Sequence, residues 1–256
     1  MDKLIHTALN SMHSARLKQV TSAQNLSNAQ VAGYRSDQIG GRFGSVYLSA
    51  ENQLETRVFS KKSEPGLFSD KQGEMRLTGE QTDLAIEGDG YFMIENQSGV
   101  FGMTRRGDFT IGEDRLLTNR AGERVLDTSL VPIAIPPFRE IFVSENGQIF
   151  IQPIGAEPGV RQLVNQIAAS SGEGLDLKKD VDGTIRPDGG FVREQFNADQ
   201  NVRLKQGYLE TSNVSVFDEL VNNVDIQKQY QLNVKLISLA KKLDEAGASL
   251  LKLPNG

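Results

Sequence analysis

The chain has 256 residues, 38% of them hydrophobic and 24% charged, with a formal net charge of -5. It contains no cysteine, no tryptophan and only two histidines, His6 and His13, which excludes disulfide scaffolds, thiolate metal sites and cysteine nucleophiles. On a helix the two histidines would stand about 10 Å apart along the axis, too far to share a metal ion.

The first twenty residues hold no apolar run longer than two. A secretory signal needs about 7 to 15 apolar residues in a row, and a membrane helix needs about 20. The expectation is a chain without a cleaved signal and without membrane insertion. Residues 1–30 sum to +2 and residues 211–256 to zero, which leaves -7 on the middle. No basic stripe exists, so no nucleic-acid partner is expected.

Residues 1–64 contain no proline. The spacing predicts a helix from about Lys3 to Asn28, with Ile5, Ala8, Met12, Ala15, Gln19, Ser22, Leu26 and Ala29 along one face. Gly33 falls just past its C-cap. The middle of the chain is rich in glycine and in short β-branched or aromatic segments. Strands are predicted at Leu54–Ser60, Leu84–Glu87, Tyr91–Glu95, Phe109–Ile111, Ile141–Ser144 and Gln148–Gln152. Asn146-Gly147 between the last two is a hairpin signature. No run of strand–helix–strand units appears, so a doubly wound α/β fold is not expected.

A second helix, of about 38 residues and about 57 Å, is predicted after Asn213 or Ser215, either of which can cap it. Asp218 and Glu219 suit its first turn. One stripe runs Leu220, Val224, Gln227, Tyr230, Val234, Ile237, Ala240, Leu243, Gly247, Leu250. Another runs Phe217, Val221, Leu232, Leu236, Leu239, Leu243. Two apolar faces require more than one partner, and the N-terminal helix can cover only one. The remaining apolar surface is expected to meet the central domain or other chains, unless the helix kinks at Gly247 and folds back.

Four chemistry motifs fail on inspection. Glu87-Gly-Asp-Gly is not followed by the helix a phosphate cradle requires, and reads as a tight turn. Asp180-Val-Asp-Gly resembles a calcium loop, but Lys178 and Gly189 stand where acids are needed. Arg106-Gly107-Asp108 spells an adhesion tripeptide and reads as a turn between strands. Serine–histidine chemistry would rest on His6 or His13, in a segment with no rigid support. An enzyme is not expected, nor any cofactor or bound metal.

The blocks that remain carry a resemblance. AQNLSNAQVAGYR at Ala23–Arg35 is similar to the N-terminal motif A-x-N-L-A-N-x-x-T-x-G-[FY]-[KR] of the flagellar rod and hook proteins, through Asn25, Leu26, Asn28, Gly33, Tyr34 and Arg35. Ser27 and Ala32 depart from it. TDLAIEGDGYF at Thr82–Phe92, the block Met103–Leu126 and QGYLETSNVSV at Gln206–Val216 resemble that family's later motifs, in the same order. The opening MDKLIHTALNSM and the close LDEAGASLLKLP are most similar to the proximal rod branch. Asn222-Asn223-Val224 departs from a more apolar triplet.

The resemblance implies an α+β fold in which long N- and C-terminal helices pair as a coiled-coil-like arm around a central, mainly antiparallel β domain. The implied division is an assembly helix at 1–33, a connecting segment at 34–80, a β domain at 81–200 and a return segment with the long helix at 201–256. It implies a structural subunit of the periplasm-spanning basal-body rod, exported without signal cleavage, transmitting torque to the hook. The partners implied are other rod subunits, further copies of the chain and, in transit, the export apparatus. A distal rod or hook component is the alternative, and a secreted β-rich adhesin a more distant one. The expected assembly residues are Leu4, Ile5, Ala8, Met12, Asn25, Leu26, Asn28, Gly33, Tyr34, Asn213, Val214, Phe217, Leu220, Val224, Tyr230, Val234, Ile237, Leu243 and Leu250.

Overall fold

A computed structural model describes residues 2–48, 56–157, 159–191 and 201–251. The chain divides into two compact units. One comprises Met1–Ser27, Asp37–Leu67 and Ser215–Gly256, and the other Asn28–Ser36 and Phe68–Val214. The backbone therefore crosses between them four times.

The first unit holds helix α1 (Asp2–Ser27), the antiparallel hairpin β1 (Gly40–Leu48) and β2 (Thr56–Glu64), and the C-terminal helix α2 (Val216–Leu251). Leu54 and Glu55 of the strand expected there lie outside the described residues. Ser215 supplies the N-cap of α2: its hydroxyl accepts Asp218 N at 3.3 Å and its carbonyl accepts Glu219 N at 3.0 Å. The helix runs unbroken through Gly247 to Leu251, so no fold-back occurs there.

The second unit holds fifteen strands among the described residues. Its largest sheet brings together β5 (Tyr91–Glu95), β6 (Phe101–Thr104), β7 (Phe109–Ile111), β8 (Leu117–Asn119), β9 (Arg124–Val125), β13 (Ala169–Ser170), β14 (Leu177–Lys179) and β15 (Ile185–Pro187). A three-stranded sheet holds β10 (Phe138–Val143), β11 (Gln148–Pro153) and β12 (Gln162–Gln166). Two short ribbons pair β4 (Leu84–Glu87) with β16 (Arg203–Gln206) and β3 (Met75–Leu77) with β17 (Tyr208–Glu210). Every strand pairing is antiparallel.

The period of two explains the core. Ile141 and Val143 of β10 and Ile149 and Ile151 of β11 point inward, while Phe142 and Phe150 point out. The inward four join Leu84, Ile86, Phe92, Val125, Ile133 and Ile135 in one cluster, with Phe92 and Phe109 edge to face at 5.0 Å. Each such side chain stabilises the fold by roughly 1.5–3 kcal/mol. The hairpin closes as expected at Asn146-Gly147, where Gly147 takes φ +80°.

One edge of the small sheet is closed by side chains. The Gln206 amide accepts Val143 N at 3.1 Å and donates to Ile141 O at 3.0 Å, as a neighbouring strand would. Gln81 accepts Ile141 N at 3.1 Å beside it. Covering an edge in this way removes a template for unwanted strand pairing.

Candidate functional site

The β unit contains a strap, Asn28–Ser36, that follows directly from α1. Its residues turn through Val31 N to Asn28 O at 3.0 Å and Tyr34 N to Val31 O at 3.3 Å. Gly33 then donates to Glu210 O at 2.8 Å. Gly33 sits at φ +64°, and a Cβ there would lie 2.2 Å from Arg105 O, so both the backbone conformation and the space require glycine.

Below the strap lies a buried ion cluster. Glu210 is 2% exposed. Its Oε2 is gripped by Arg105 through Nε at 2.8 Å and Nη2 at 2.8 Å. Its Oε1 accepts Gly73 N at 2.9 Å and stands 3.1 Å from Arg35 Nη2. Arg105 also donates from Nη1 to Gly88 O at 2.9 Å and Gly90 O at 2.7 Å. The Glu87-Gly-Asp-Gly turn is therefore a ligand for an arginine, not for a phosphate. Burial pulls the Arg105 pKa down from its ordinary value, Glu210 opposes that and Arg35 reinforces it. Burial raises the neighbouring Tyr91 hydroxyl, against the pull of Arg35 and Arg105.

The rest of the strap is held by polar contacts. Lys179 Nζ donates to Arg35 O at 2.8 Å and lies 3.7 Å from the Tyr34 ring centroid. Asn213, one of the two caps expected for α2, instead accepts Ser36 N at 2.7 Å and donates to Ser69 O at 3.0 Å and Lys71 O at 2.8 Å. The four sequence blocks thus converge here: Gly33 to Arg35 from the first, Gly88 and Gly90 from the second, Arg105 from the third, and Glu210 with Asn213 from the fourth.

In the helical unit, α1 and α2 lie antiparallel, with Ser22 Oγ 3.4 Å from Glu219 O and Asn233 Nδ2 2.9 Å from Ser11 Oγ. The buried positions recur at seven-residue intervals: Ala8, Ala15 and Ser22 on α1, Ile226, Asn233 and Ala240 on α2. Asn25 is also buried. Its amide exchanges two hydrogen bonds with the Asp37 backbone, at 3.1 and 2.8 Å, and donates to Glu219 Oε1 at 2.8 Å. The face that α1 presents is therefore small and polar, and on α2 it covers Ile226, Asn233 and Ala240. That line takes only Ala240 from the first apolar stripe of α2 and leaves most of both stripes exposed.

Phe217 is 75% exposed and Leu243 62%. Leu220, Val224, Tyr230 and Val234 of the first stripe are exposed, as are Val221, Leu232, Leu236 and Leu239 of the second. Ile237, Met12, Leu26, Asn28, Tyr34, Asn213 and Val214 are half-buried, and Ala8, Asn25 and Gly33 are buried. The Leu4, Ile5 and Leu250 side chains lie outside the described residues. Sequence reasoning missed Arg105, Glu210, Lys179 and Gln206 as site residues. The signal available for Glu210 was an acid two residues after Tyr208 on a strand whose neighbour Leu209 is buried.

The other rejected motifs are also accounted for. Arg186 bonds Asp180 at 2.6 Å and Asp182 at 2.5 Å, filling the would-be calcium loop with a guanidinium. Arg106 pairs with Asp108 at 2.8 Å in the turn between β6 and β7. A Cβ on Gly107 would lie 1.6 Å from Leu84 O.

Fold and surface together define an α+β protein whose terminal helices join in one unit, the second of them carrying many exposed apolar side chains. Comparison with known proteins agrees. Residues 85–151 match the family described as the flagellar hook protein FlgE/F/G D1 domain, and residues 205–250 match the flagellar basal body rod FlgEFG protein C-terminal family. The chain is 26% identical over 256 residues to the flagellar basal-body rod protein FlgF of Salmonella typhimurium, covering 99% of this chain and 100% of that one. It is 28% identical to the FlgF of Rhizobium meliloti, covering 96% and 98%. It is also 28% identical to the flagellar basal-body rod protein FlgG of Borreliella burgdorferi, covering 95% and 96%. The chain is thus similar, over almost its whole length, to flagellar basal-body rod proteins.

Proposed function

We propose that this chain is a structural subunit of the proximal part of the flagellar basal-body rod, with no catalytic role. The single observation that carries this is the pair of uncovered apolar stripes on α2. Burying eight half-exposed side chains, Phe217, Leu220, Val221, Val224, Leu232, Leu236, Leu239 and Leu243, is worth on the order of 8 kcal/mol before the cost of association. Helices with apolar faces on two sides suit a wall in which each is flanked by neighbours, and heterologous contacts that do not close build a helical array. The seven-residue spacing of buried positions supports a coiled-coil-like pairing of α1 with α2. Segments 1–33 and 201–256 would then act as assembly arms around the β body.

The partners in this reading are further copies and other rod subunits, with the export apparatus in transit. The array would span the periplasm and carry torque to the hook. A distal rod or hook position in the same array is the second reading, favoured by the FlgG relatives. The adhesin reading loses its motif, since Arg106 and Asp108 are paired with each other.

The test is complementation of a deletion strain with Leu236→Asp or Leu239→Asp. The expected result is a folded, exported subunit and no rod assembly beyond it. Normal swimming with both substitutions together would refute the reading. Cross-linking in isolated basal bodies separates proximal from distal placement by the neighbours captured.

A further inference from the structure

The ion cluster beneath the strap contains one arginine more than its carboxylate needs. Arg105 already holds Glu210 Oε2 with two nitrogens, and Gly73 N occupies Oε1. Arg35 reaches Glu210 with a single nitrogen at 3.1 Å, while its Nε and Nη1 are buried without a hydrogen-bond partner. Arg35 is 5% exposed. Two guanidinium charges against one carboxylate leave the cluster positive. A buried donor without an acceptor keeps its full desolvation penalty, and such groups are few in native proteins. The strap's backbone has no such deficit: Gly33 N meets Glu210 O, Ser36 N meets Asn213 Oδ1, and Ser69 N meets Ser36 O at 2.8 Å.

We propose that the strap, Asn28–Ser36, is releasable, and that Arg35 is the positioning residue that keeps it so. When the strap lifts, Arg35 recovers water on its unpaired nitrogens and Glu210 stays neutralised by Arg105. The β unit then keeps its ion pair and its core. Arg105 cannot play this part, because its departure would strand the Gly88 and Gly90 carbonyls. The strap runs directly into α1 at one end and into Asp37 at the other, so its opening gives the chain local freedom at two of its four crossings between units. This device is a property of the chain itself and does not depend on the rod assignment.

Hydrogen exchange and thermal unfolding of the full chain test it, comparing wild type with Arg35→Met, Arg35→Gln and Arg105→Met. Under the proposal, the Gly33 and Ser36 amides exchange about tenfold more slowly in both Arg35 variants, because local opening loses its driving force. Their Tm is unchanged or rises by about 2–4 °C, whereas Arg105→Met lowers it by about 10 °C. Faster exchange at Gly33 and Ser36, failure of both Arg35 variants to fold, or a Tm loss matching that of Arg105→Met overturns it.

Discussion

Replacing Glu210 with alanine removes the one anion in a cluster that holds two buried arginines. Arg105 loses both of its bonds to the carboxylate, Arg35 loses its ion-pair contact, and Gly73 N loses its acceptor. Breaking a buried ion pair by removing one partner costs about 3–5 kcal/mol, because the remaining charge is left uncompensated. The orphaned Gly73 amide adds about 1 kcal/mol. For a unit of this size each kcal/mol moves the midpoint by about 2–4 °C, so the expected fall in Tm is about 10 °C or more. Differential scanning calorimetry is the suitable assay, since the chain has no tryptophan and two compact units that can melt separately. Only the transition of the β unit should move by this amount. Glu210→Gln keeps an acceptor for Gly73 but not the charge, and should recover no more than about 1–2 kcal/mol. A Glu210→Ala protein within about 1 kcal/mol of wild type would refute the reasoning, and would mean that water replaces the carboxylate without loss.

Three further predictions follow from the same geometry. Gly33→Ala should destabilise the β unit by about 3 kcal/mol or more, since the positive φ and the 2.2 Å approach to Arg105 O both oppose a side chain, and urea unfolding at equilibrium measures it. Gln206→Leu removes the amide that bonds Ile141 and Val143, so a loss of about 2 kcal/mol is expected, together with concentration-dependent association through the uncovered β10 edge, visible by light scattering. The Asp182 carboxyl is raised by burial but lowered more strongly by the Arg186 and Thr184 hydrogen bonds, to about 2. A depressed folded value gives stability above the unfolded value near 4 that is lost as pH falls towards 2. For this partly exposed group that amounts to about 1 kcal/mol after solvent screening. Asp182→Asn should therefore flatten the stability curve between pH 4 and pH 2 and change nothing at pH 7 beyond a constant offset.

Much of the fold was legible because its determinants are local. The period of two at Ile141 to Ile151 with Asn146-Gly147 between specifies a hairpin whatever surrounds it. Helix α1 was expected at about Lys3 to Asn28 and is found at Asp2–Ser27. Gly33 was expected just past a helix end, and it has the positive φ that such a position favours. The small face of α1 was visible in Ala8, Ala15 and Ser22, although Gln19, expected on the same face, is exposed.

What the sequence could not show is which parts of the chain meet. Periodicity marks every apolar face of α2 but does not say which face α1 will cover. The choice of Ile226, Asn233 and Ala240 depends on how closely α1 approaches, which its own small residues Ala8, Ala15 and Ser22 permit. Asn213 looked like a helix cap because a cap is the nearest donor set along the chain. In the folded protein it holds Ser36, Ser69 and Lys71, more than 140 residues away. Glu210 on β17 and Arg105 just past β6 are likewise ordinary charges until folding removes water from both and leaves each as the other's partner. By itself the sequence determined the two terminal helices, the hairpin around Asn146-Gly147 and the resemblance to rod and hook proteins, because propensity and pattern act over a few residues. The tertiary structure alone decided the ion cluster, the strap and the surface left open on α2, because burial and charge compensation arise only when distant segments exclude water together.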